Sequence, residues 1–174
     1  ARKTRDAHLD QATQRGYLLK QLAPLLPGPR LTRPPTLKDP ASDYDYVQQV
    51  ADAVRSELTL AEKSDFKQLI SKFNELGAVL IPVLWGEKQE HGNALNVYLP
   101  DTQTIWVFLN LDTNALHFNF WMAHELGHSL APDLRDEKGE DFADALAQAV
   151  LFPRPAAEKL RAELLDLPSA GRRI

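Results

Sequence analysis

The residues best suited to chemistry lie in one stretch, His124-Glu125-Leu126-Gly127-His128, between Phe120-Trp121-Met122-Ala123 and Ser129-Leu130-Ala131-Pro132. Residues four apart share one face of an α-helix, so two imidazoles at this spacing can grip one cation. A zinc ion in a catalytic site takes three protein ligands and keeps a fourth position for water. The third ligand must therefore come from another part of the chain. Six acids follow the motif: Asp133, Asp136, Glu137, Glu140, Asp141 and Asp144. Helical periodicity separates them. From Glu140, the positions three, seven and eleven further on are Ala143, Ala147 and Leu151, an inward-packing face. From Glu137 they are Glu140, Asp144 and Gln148, a polar one.

A carboxylate at the start of an apolar, small-residue face is costly unless it meets a cation, which makes Glu140 the expected third ligand. The alternative is a solvated carboxylate at a helix N-terminus. Asp144, one turn on, is placed to accept the spare N–H of a ligating imidazole, or else to be an ordinary surface acid. Glu125 lies about 100° round the helix from His124, which suits it to take a proton from water rather than to ligate. Such a carboxylate serves peptide hydrolysis, removing a proton from the attacking water and delivering it to the leaving amine. His117, seven residues before His124, falls on roughly the same face and is a candidate substrate or oxyanion contact; a surface or capping role is the alternative. Gly127 sits between the ligands, and glycine inside a helix costs up to ~1 kcal/mol relative to alanine. Something should pack closely there, either the strand ending at Asn110 or the Glu140 helix.

The rest of the chain must position these groups. Its 174 residues suffice for one domain with an appendage, and 44% hydrophobic with 25% charged residues is an ordinary globular composition. No apolar run reaches bilayer length, and without cysteine a zinc site must use His and carboxylate. Residues 1–38 hold eight Lys or Arg against two acids, whereas the remainder holds 12 against 22. The basic segment reads as a solvated tail or a DNA-facing appendage. Leu18, Leu19, Leu22, Leu25 and Leu26 give it a loose helical pattern before six prolines from Pro24 to Pro40, with Gly28 among them, impose an extended linker. We therefore expect a basic, Pro-rich arm over 1–40 and a catalytic domain over 41–174. Ala1 in place of Met points to a processed or excised chain, and no signal-peptide pattern is visible.

Within the larger unit, helices are expected from Ser42-Asp43 and from about Ser64, the second stopped by Gly77. Three short apolar runs follow as strands: Ala78 to Leu84, Ala94 to Leu99 and Thr104 to Leu109. Pro100-Asp101-Thr102-Gln103 turns the last two into a hairpin, while Pro82 sends the first to an edge or a bulge. His91 and Gly92 fall in a polar loop. The motif helix ends by Pro132, another helix spans about Glu140 to Phe152, and a short one covers Ala156 to Leu165. Trp106, Trp121 and Phe108 are read as core. The expected fold is α+β: a small three-stranded, mainly antiparallel sheet packed against helices, with the histidine helix and a following ligand helix.

The chain resembles the ImmA/IrrE family of bacterial zinc metallopeptidases over roughly residues 43–155. Phe120-x-x-Ala123-His124-Glu125-Leu126-Gly127-His128 is similar to that family's motif helix, and Glu140-x-x-Ala143-Asp144-x-x-Ala147-x-x-x-Leu151-Phe152-Pro153 to its second segment. Leu146 and Asn119 stand where the family usually has Phe and Arg, and the interval from His128 to Glu140 is short. The resemblance implies one Zn²⁺ ion, with Mn²⁺ as an activating substitute, on His124, His128 and Glu140, with Asp144 supporting a ligating His. It also implies a cytoplasmic protease that cleaves a helix-turn-helix transcriptional repressor to release a stress response or a mobile element. Many members carry a DNA-binding domain of their own, to which residues 1–40 would be the tether. The rival expectation is a metal-binding regulatory module that acts through DNA or a partner protein without cleaving.

Overall fold

The computed structural model describes residues 6–26, 36–57, 66–84, 94–112, 117–134 and 136–166, with side chains in the first stretch from residue 13 onward. Six α-helices are described, α1 (Asp6–Leu22), α2 (Tyr44–Glu57), α3 (Phe66–Glu75), α4 (Phe118–Leu130), α5 (Asp136–Leu151) and α6 (Arg154–Asp166), with strands β1 (Val79–Val83), β2 (Ala94–Leu99) and β3 (Thr104–Asn110). The fold is α+β. Asp43 caps α2, its carboxylate accepting from the Tyr46 N–H at 3.0 Å. Gly77, at φ 66°, ends α3, where its N–H reaches the Asn74 carbonyl. Ser64, His91 and Gly92 lie outside the described residues.

The sheet order is β1-β3-β2. The β2–β3 hairpin forms as expected, with Leu99 opposite Thr104, but β1 runs parallel to β3. The sheet is therefore mixed where mainly antiparallel pairing was expected. β3 takes the centre because it is apolar on both faces, which suits a strand covered on both sides. Its residues Ile105, Val107 and Leu109 join the main core with Phe73, Met122, Leu126, Phe142 and Leu146. Trp106 and Phe108 face the other way, against Leu19 of α1. Pro82 is tolerated because β1 is an edge strand.

Helix α1 lies over this second face of the sheet. Leu19 is buried there, the Arg15 guanidinium sits 5.7 Å from the Phe108 ring centre, and Lys20 pairs with Asp101 in the hairpin turn. The Lys20 pair is exposed and adds little. Further along, the Leu37 N–H donates to the Leu130 carbonyl at 2.8 Å, satisfying an orphan acceptor at the end of α4. α5 begins at Asp136, one turn earlier than the periodicity indicated, so Glu140 lies in its second turn rather than at its start.

Candidate metal centre

Helices α4 and α5 cross closely, and Gly127 is the reason. A Cβ on Gly127 would lie 2.8 Å from the Ala143 Cα and 3.1 Å from its Cβ, so the crossing admits no side chain there. Of the two partners considered, the Glu140 helix is the one that packs. Ala143 is one turn beyond Glu140 and adjacent to Asp144, so this contact delivers both acids to the histidine face. Leu146, where the resemblance anticipates Phe, is fully buried in the core.

His124, His128 and Glu140 present ligand atoms that all lie within 4.8 Å of one another, a group that could hold a metal ion. The two Nε2 atoms are 3.0 Å apart, Glu140 Oε2 is 3.8 Å from His124 Nε2, and Glu140 Oε1 is 3.6 Å from His128 Nε2. Asp144 Oδ1 lies 2.8 Å from His124 Nδ1. An ionised carboxylate only accepts, so the His124 proton resides on Nδ1 and the Nε2 lone pair is free to bind a cation. Burial and the neighbouring His124 lower the His128 pKa to about 4, which keeps that imidazole neutral, the form that ligates.

Glu125 is 4% exposed, and its Oε2 has no hydrogen-bond partner among the described residues. Burial, reinforced by the charge of Glu140, pushes its carboxyl up to about 8. A cation beside the three donors acts in the opposite sense and favours the carboxylate. The Glu125 backbone carbonyl is also engaged. It accepts from Ser129 Oγ at 2.8 Å and from Asn96 Nδ2 at 3.3 Å, and Asn96 Nδ2 is 2.9 Å from Ser129 Oγ. Edge strand β2 is thereby stitched to the helix that carries the motif.

His117 is exposed at the N-terminal boundary of α4 and makes no side-chain capping bond. Trp106 and Phe108 are buried as expected, but Trp121 is not a core residue. It stays partly exposed, with its ring edge against His124 at 5.7 Å between centroids. Its spacing, three residues before His124 and seven before His128, places it on the histidine face. Asn96 and Ser129 had no signal in the pattern, because their pairing spans 33 residues. No helix among the described residues is long and apolar enough to cross a membrane. No protein-family model matches the chain, and no curated protein matches it either.

Proposed function

We propose that the protein is a zinc-dependent endopeptidase. The observation that carries this reading is the convergence of His124, His128 and Glu140 beside a buried Glu125 that stands outside the donor group. Tetrahedral zinc with bonds of about 2.0–2.1 Å sets its donors roughly 3.3–3.4 Å apart; the imidazole nitrogens at 3.0 Å are near that spacing, and Glu140 turns one oxygen to each imidazole, Oε1 at 3.6 Å from His128 and Oε2 at 3.8 Å from His124. All donors are nitrogen or carboxylate oxygen, which suits zinc and also accommodates manganese. Zinc bound there would supply the Lewis acid that polarises a peptide carbonyl and stabilises the developing oxyanion. Glu125 takes the proton from the attacking water and carries it to the leaving nitrogen. Asp144 holds His124 in its ligating tautomer, and Asn96 and Ser129 fix the height of the motif helix against β2.

Among the described strands β2 is an edge, and its Asn96 is bonded to the motif helix, so a peptide added as a strand to this edge would lie on the side of the sheet nearest that helix. This favours an extended protein segment as substrate. On the resemblance to the ImmA/IrrE family, the substrate class is a helix-turn-helix transcriptional repressor and the compartment is the cytoplasm. The basic side chains of residues 1–40 suit contact with DNA, made from a segment whose helix α1 is packed on the sheet.

The test is to incubate the purified chain, with and without zinc or manganese, with the repressor encoded beside it and to map cuts by mass spectrometry. Glu125→Gln should retain zinc and abolish cleavage. A cellular phenotype that survives this substitution would instead favour a regulatory module that binds without cutting.

A further inference from the structure

Trp121 occupies the helix face that carries both imidazoles, yet it contributes little to the core. The packing side of α4 is already formed by Met122, Ala123, Leu126 and Leu130, all buried. The indole instead remains partly exposed beside the donors. It meets His124 edge-on at 71° and contacts Phe120 at 5.3 Å and 84°. These two edge contacts fix the ring plane next to the metal group. Its Nε1–H is shielded from solvent and has no acceptor among the described residues. A rigid, partly exposed aromatic ring fixed beside a reactive centre is suited to receive an apolar side chain.

We propose that Trp121 is a specificity-determining residue: its ring forms the wall that receives the side chain next to the scissile bond and selects aromatic or large apolar residues over glycine. This rests on the metallopeptidase reading, and the experiment separates the two. Hydroxamates chelate zinc through two oxygens, so an amino-acid hydroxamate anchors its side chain beside the donors without requiring the natural substrate. The probes are acetohydroxamic acid, N-acetylglycine hydroxamate and N-acetylphenylalanine hydroxamate, titrated calorimetrically into the zinc-loaded full chain.

The wild type should bind the phenylalanine probe about tenfold more tightly than the glycine probe, the scale of an aromatic pair together with its buried area. Trp121→Ala should reduce that ratio to under about twofold while leaving acetohydroxamic acid within about twofold of wild type, as expected for a lost contact with an intact metal group. Trp121→Leu keeps apolar bulk on the helix and should still lower the ratio by at least about threefold, which covers the case in which the alanine variant does not fold. Trp121→Phe keeps an aromatic face and should retain most of the preference. A ratio unchanged in the leucine or alanine variant, or no preference in the wild type, overturns the proposal. Acetohydroxamic acid that fails to bind even the wild type overturns the metal-centre reading, and this proposal with it.

Discussion

Replacing Glu125 by Gln should stabilise the metal-free protein, by an amount that grows with pH. The Glu125 carboxyl is pushed from 4.5 up to about 8, first by burial and then by Glu140. Between those values the folded chain holds a proton that an unfolded chain has already released, so stability falls as pH rises from about 4.5 to about 8 and then levels off. At about 1.36 kcal/mol per pKa unit, the cost is about 1 kcal/mol at pH 5 and about 3 kcal/mol at pH 7. Gln keeps the shape and removes the charge. Its amide carries a burial cost of its own, but that cost does not vary with pH, so the change in the difference between the two proteins isolates the carboxylate. His128 is present in both and cancels. The assay is urea unfolding followed by circular dichroism in the presence of a chelator from pH 5 to pH 8. The advantage of E125Q should widen by about 3–4 kcal/mol across that range, and by at least half as much if the site relaxes around the charge. A widening below about 1 kcal/mol would refute the argument that burial governs this carboxyl. Saturating zinc should flatten the dependence, because a nearby cation favours the carboxylate.

Three further outcomes follow from the same geometry. Glu140→Ala should weaken zinc binding by more than about 100-fold in a chelator competition, since it removes one of three donors; unaltered retention would exclude Glu140 as a ligand. Asp144→Asn should cost about 10–100-fold in zinc affinity without unfolding the chain, because the His124 tautomer is no longer held by a charge, and equal affinity would return Asp144 to an ordinary surface acid. Gly127→Ala gains up to ~1 kcal/mol in helix propensity, but its Cβ would stand 2.8 Å from the Ala143 backbone. The clash wins, with a net loss of about 1–3 kcal/mol in denaturant unfolding and weaker zinc binding as Glu140 moves away; an unchanged midpoint would show that the crossing is slack.

What could be read without the fold was whatever depends on neighbours within a few turns. The spacing of His124 and His128, the face occupied by Glu140, the Asp43 cap and the Gly77 stop all follow from 3.6-residue periodicity and local backbone preference, and the structure has each of them. Pro82 likewise announced an edge strand or a bulge for β1, and β1 is an edge. Contacts between distant segments were not legible, because nothing local specifies them. The parallel pairing of β1 depends on where the chain between the strands travels, and Gly127 showed that something packs closely without saying that it is Ala143. Trp121 looked like core because its hydrophobicity is the same wherever it faces; only the assembled helices show that the core side of α4 is filled by other residues. The sequence by itself determined which groups could ligate and on which helix faces they lie. Tertiary structure alone decided that two helices meet closely enough for those groups to converge, and it buried Glu125 where its charge is costly.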